Sequence, residues 1–105
     1  MWLCSKEVDV SKIIYIESSG HKVTYHIHGK EFGDYVVKSK LDDIENELKE
    51  YKYLLRVHQS YIVNMMYVNN ISSYRVYLKN GIDLGVPKSR YKEVKKRILE
   101  FKENN

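Results

Sequence analysis

Arg56, His58, Gln59, Ser60 and Asn64 crowd into the stretch from Leu55 to Asn64, interleaved with Val57, Tyr61, Ile62 and Val63. A guanidinium, an imidazole, two amides and a hydroxyl together offer a dense set of donors and acceptors. No glycine or proline marks the segment as an ordinary loop. The apolar members can anchor it to a core, so the stretch reads as half buried. The polar members then either satisfy buried backbone groups or face a partner, and spacing alone leaves both open. Gln59 here and Arg90 further along carry side chains able to make two hydrogen bonds to adenine and guanine, respectively, in a major groove.

Other chemistries fit less well. His58 and Ser60 could suggest nucleophilic catalysis, but residues two apart diverge in direction, and neither a glycine-flanked nucleophile turn nor a third triad member is evident. The expectation is that the chain is not an enzyme. His26 and His28 share a strand face, as metal ligands can. Zinc sites normally need three or four ligands, and the single thiol, Cys4, has no partner cysteine, so both histidines read as solvent-facing. No glycine-rich phosphate loop occurs, and no cofactor is expected. Most of the ten tyrosines alternate with aliphatics, which favours sheet packing over base stacking.

The elements that must position these residues are mainly strands. Ile13 to Glu17 and Lys22 to His28 form a predicted hairpin across Ser18-Ser19-Gly20-His21. In the second strand Val23, Tyr25 and Ile27 alternate with Thr24, His26 and His28, giving an apolar and a polar face. Gly29-Lys30 predicts a turn into a third strand, Glu31 to Val37, with Gly33 as a weak point or bulge. Leu41, Ile44 and Leu48 fall at helical spacing behind a capping arrangement at Ser39, which predicts a helix from about Lys40 to Glu50. After a turn at Asn69-Asn70, Ile71 to Leu78 reads as one strand, and Asn80-Gly81 returns it through Ile82 to Val86. Pro87 should close that strand, since it cannot donate to a ladder. Tyr91, Val94, Ile98 and Phe101 then place a terminal helix on the sheet.

With 105 residues the chain reads as one domain spanning 1–105, and 43% hydrophobic residues suffice for a core without disulfides. A lone cysteine accords with a reducing cytoplasm. No apolar run approaches the ~18–20 residues that cross a bilayer, and no signal peptide is evident, so a soluble intracellular protein is expected. The formal charge of +4 sits wholly at one end. Seven cations (Lys88, Arg90, Lys92, Lys95, Lys96, Arg97, Lys102) face three anions (Glu93, Glu100, Glu103) there, leaving residues 1 to 87 without net charge. A basic end on a neutral body points to an anionic partner, DNA being the commonest for a small cytoplasmic domain.

Arg56-Val57-His58-Gln59-Ser60-Tyr61-Ile62-Val63-Asn64 resembles the signature of the LytTR DNA-binding domain, R-x-H-x-S-ϕ-ϕ-V-N. Ile13 to Ser18 upstream and Gly85 to Tyr91 downstream fit the same family in order, so the resemblance runs from about Val8 to Phe101. It implies a mainly β, elongated arrangement of small antiparallel sheets with a mid-chain helix and a C-terminal helix. It also implies sequence-specific binding of duplex DNA, as the output domain of a bacterial response regulator, through loops rather than a recognition helix. Those loops correspond here to Ser19 to Lys22, the signature around Gln59, and Lys88 to Arg90. His21 and Arg90 match contacting positions, and Gln59 departs from the Asn or Arg often found at its own. The expected DNA-binding residues are His21, Lys22, Gln59, Lys88, Ser89, Arg90 and Lys92. Partners expected are double-stranded DNA in repeated half-sites, a second copy on that DNA, and no membrane. A receiver domain, where the natural protein has one, lies outside this chain. The rival reading is a small β interaction module whose basic C-terminal helix docks an acidic protein.

Overall fold

The computed structural model describes residues 1–3, 5–29 and 34–104. Its centre is a five-stranded antiparallel sheet in the order β5-β4-β3-β7-β6. The strands are β3 (Ile13–Ser19), β4 (Lys22–Ile27), β5 (Tyr35–Lys38), β6 (Leu54–His58) and β7 (Tyr61–Asn64). A short N-terminal ribbon precedes it, β1 (Trp2–Leu3) with β2 (Lys6–Glu7). A three-stranded sheet follows, β8 (Val68–Ser72), β9 (Arg75–Leu78) and β10 (Asp83–Gly85). Helix α1 (Leu41–Glu47) joins β5 to β6, and α2 (Lys88–Glu103) ends the described chain.

The five-stranded sheet is covered on both faces, which explains why its strands carry apolar residues at adjacent positions as well as alternate ones. Ile16, Tyr25 and Ile62, opposed across the ladders, turn towards Leu41, Ile44 and Leu48 of the α1 region. Tyr15, Val63 and Leu55 turn the other way, towards the three-stranded sheet and the apolar stripe Val94 and Ile98 of α2. Tyr91 and Phe101 pack half-buried against that second cluster, so α2 presents its expected face to the core.

The hairpin β3–β4 turns at Gly20, whose φ of +63° a side chain would oppose. The Asn80-Gly81 turn likewise rests on Gly81 at φ +89°, and Gly81 N–H donates to Leu78 O at 3.0 Å. Pro87 sits at the N-cap of α2, extended at φ −59° and ψ 147°, and its carbonyl accepts the first helical bonds from Arg90 and Tyr91 N–H.

Several expectations need correction. The stretch Ile71 to Leu78 is two strands, broken at Ser73-Tyr74, both left-handed (φ +51° and +62°), and Asn69 and Asn70 lie within β8. This primed-type turn matches strand twist without glycine, so no residue announces it. The first helix ends at Glu47: Leu48 N–H still donates to Ile44 O as its C-cap, but Tyr51 N–H then donates to Leu48 O in a tighter turn that sends the chain back towards β6. Its N-cap is Lys40, which makes no side-chain capping bond. Of the strand expected over Glu31 to Val37, Tyr35–Lys38 is strand and Asp34 is not, while Glu31 to Gly33, like Lys30 of the turn expected before it, lie outside the described residues. His26 is not solvent-facing. Its ring stacks on Tyr15 at 4.1 Å, and its nitrogens lie 2.6 Å from Glu17 Oε1 and 2.9 Å from Asp34 Oδ2.

Candidate nucleic-acid interface

The signature stretch folds as a tight hairpin. β6 and β7 pair from Leu54↔Asn64 to His58↔Tyr61, with Gln59 and Ser60 at the turn and a register shift between Arg56 and His58. Neither turn residue is left-handed, so the turn lacks the conformation that matches strand twist, and the shift absorbs the mismatch.

Arg56 holds this turn together. Its Nε donates to His58 O at 2.8 Å and its Nη2 to Gln59 O, so one side chain binds two successive carbonyls of the turn. Nη1 lies 2.9 Å from both Asp42 Oδ1 and Glu45 Oε1 of α1. The guanidinium thus fastens the turn to the helix, and the side chain is 8% exposed. A planar fork is suited to this, because it reaches several acceptors at fixed angles.

His58 Nδ1 accepts from Ser60 N–H at 2.9 Å, and its ring tilts against Tyr61 at 5.0 Å. Asn64 is fully buried: its Nδ2 donates to Ser11 O and Ile13 O, and its Oδ1 accepts from Met66 N–H. Arg56, His58 and Asn64 therefore serve the shape of the segment, while Gln59 projects into solvent.

The expected contact segments meet at one end of the fold. Ser18 N–H donates to Ser60 O at 2.9 Å, locking the β3–β4 hairpin beside the β6–β7 turn, and Gly20, Asp42, Arg56 and Gln59 line one hollow between them. Arg56 also lines a groove with Arg90, so the first turn of α2 opens alongside the same pivot. His21, Lys22, Gln59, Lys88, Ser89, Arg90 and Lys92 are all exposed. Lys88 Nζ lies 5.9 Å from the ring centroid of Tyr74, which itself packs on Tyr91 at 4.5 Å. Arg90 forms no side-chain hydrogen bond or ion pair among the described residues.

Two features escape sequence reasoning. Lys22 stands directly opposite Lys38 on β5, and Lys40 at the start of α1 lines the hollow by the turns, so this end gains two cations that only the folded chain reveals. The first turn of α2 has neither a side-chain cap nor an acidic residue. Cations beside the positive end of a helix are unfavourable unless an anion joins them.

These elements define a mainly β domain of small antiparallel sheets with two helices, whose polar turns and basic helix start share one end. The sequence matches the model of the LytTr DNA-binding domain over residues 4–99, and the chain belongs to that family, which is one of DNA-binding domains and not of enzymes. The chain is 33% identical over 97 residues to the sensory transduction protein LytT of Bacillus subtilis (strain 168), covering 87% of this chain and 38% of that protein. It thus spans well under half the length of this relative. The fold is similar to the LytTr DNA-binding domain of a putative methyl-accepting/DNA response regulator from Bacillus cereus. That likeness has a TM-score of 0.71 at 24% identity and covers 87% of this chain and 84% of the other. No helix among the described residues is long and apolar enough to cross a membrane.

Proposed function

We propose that this domain binds duplex DNA sequence-specifically, as the output module of a bacterial transcriptional regulator, and that it does so through turns rather than an inserted helix. The observation that carries the reading is the clustering of two exposed turns and the start of α2 around the half-buried Arg56. Such an end is preorganised, so little freedom is lost when it meets a ligand. Gln59 and Arg90 are the base-reading side chains, by their capacity for paired bonds to adenine and guanine. His21 joins them from the β3–β4 turn. Lys22, Lys88, Ser89 and Lys92 hold phosphates, with Lys38 and Lys40 added to the set. The uncapped N–H groups at the start of α2 suit a phosphate as well.

The family, and a relative named for sensory transduction, support an output role. One copy presents few base-reading groups, so two copies on repeated half-sites gain affinity through linked binding. Selection from random duplexes tests the proposal. One motif should be enriched, and single mismatches in it should each cost about 1–3 kcal/mol. Failure to enrich any sequence, or equal displacement by scrambled competitor, would overturn it.

A further inference from the structure

Arg56 and Leu55 are consecutive residues of β6 that point to opposite faces of the sheet, yet both line the groove between α1 and α2. A groove touched from both faces must run over the edge of the strand. β6 is the outermost strand of its sheet, and among the described residues no strand pairs with its outer side. Alternate N–H and C=O groups of an edge strand point outward and can template another strand. Here Leu54 and Leu55 give the groove an apolar floor. Leu48 and Lys49 form one wall, Arg90 and Arg97 the other.

The charge around this edge selects the occupant. Lys49, Lys52, Arg90 and Arg97 stand against Glu45 and Glu93, and Glu45 is already engaged by Arg56. A second copy pairing edge to edge would bring the same cations together. Duplex DNA would leave the leucine floor unmatched. We infer that the β6 edge is a docking site for an extended segment of a partner protein, in which acidic residues alternate with apolar ones and which adds as a sixth strand beside β6. Arg90 lies in this groove and in the proposed DNA contact, so such a segment would exclude DNA. That consequence rests on the DNA reading, whereas docking itself does not.

The test is a selection from a phage-displayed library of random twelve-residue peptides on the whole chain without DNA. Sequences alternating Asp or Glu with Val, Ile or Leu should be enriched. The best of them, synthesised with a fluorophore, should shift the amide resonances of Leu54 to His58. N-methylation of its alternate backbone nitrogens should abolish binding, since it removes the strand-pairing donors. Lys49→Glu and Arg97→Glu, checked for unchanged melting, should each weaken it roughly tenfold. Enrichment of basic or non-alternating peptides, no enrichment, full affinity after N-methylation, or shifts confined to the outer surface of α2 would each overturn the proposal. The selected peptide is then offered to the protein on its DNA site. Peptide binding without competition would overturn only the exclusion of DNA.

Discussion

Arg56 Nε lies 2.8 Å from the carbonyl oxygen of His58, so the cation caps the turn that its own strand is about to make. The same guanidinium reaches Asp42 and Glu45, and its removal would take a charged donor from two turn carbonyls and release α1. Arg56→Ala should cost about 1–3 kcal/mol in denaturant unfolding, in the range for losing charge-assisted bonds to partly buried acceptors. Arg56→Lys should recover little of it, because an ammonium cannot reach all four acceptors at once. Full stability in the lysine variant would show that charge, not the fork, fixes the turn.

Asn64 makes a sharper case, because its amide both donates and accepts inside the core. Asn64→Asp keeps the shape but cannot donate to Ser11 O and Ile13 O, and it buries a charge beside two carbonyls. Each such orphaned group costs about 1–3 kcal/mol, so both Asn64→Asp and Asn64→Ala should lower the melting temperature by several degrees or more. An aspartate variant as stable as the parent would mean that the two donated bonds contribute nothing.

What could be read in the sequence follows from where each signal resides. The hairpins at Gly20 and Asn80-Gly81 and the apolar stripe of α2 are encoded locally, and they were foreseeable from glycine and periodicity. The β6–β7 turn was not, because its stabiliser is a cation reaching along and across the chain rather than a residue within the turn. The Ser73-Tyr74 turn gave no sign for a related reason, since its left-handed pair contains no glycine or asparagine. His21, Gln59 and Arg90 could be picked out from the sequence as candidates, while the Lys22–Lys38 opposition and the open edge of β6 exist only once strand register is set.

Two buried phenols make the fold sensitive to alkali. Burial, reinforced by Glu17, pushes the Tyr15 hydroxyl up from 10.0 to about 12, and burial, reinforced by Glu47, does the same for Tyr25. Unfolded tyrosines ionise first, so between those values the folded state binds more protons and stability falls as pH rises. Below pH 10 this contribution is fully present. Tyrosinate absorbance should therefore rise together with loss of the folded signal, and Tyr15→Phe or Tyr25→Phe should flatten the slope.

Lys22 and Lys38 oppose each other directly, an arrangement that costs stability unless an anion lies between them. Lys38→Gln should stabilise the free domain by about 0.2–1 kcal/mol. The same change should weaken DNA binding equally on all sequences and reduce the salt slope by about 0.9, the share of one phosphate contact. A variant that gains stability but keeps the parental salt slope would remove Lys38 from the interface.

Arg90 offers the most specific test of base reading. Glu93 stands three residues on in α2, but the two form no ion pair, and the Arg90 guanidinium is left available at the start of a rigid helix. Its backbone is held by the bond from Arg90 N–H to Pro87 O at 3.0 Å, so the side chain departs from a fixed point. A fork from such a point can bond both major-groove acceptors of a guanine, where lysine presents one compact charge. Arg90→Lys should keep non-specific affinity and the salt slope while losing about 1–3 kcal/mol of discrimination at a single base pair. Arg90→Ala should lose that discrimination together with some general affinity. Both variants are measured on the selected site and on its single-base changes, with melting curves to show that the fold is intact. Equal losses on every sequence would assign Arg90 to phosphate, and loss at one base pair alone would assign it to a guanine there.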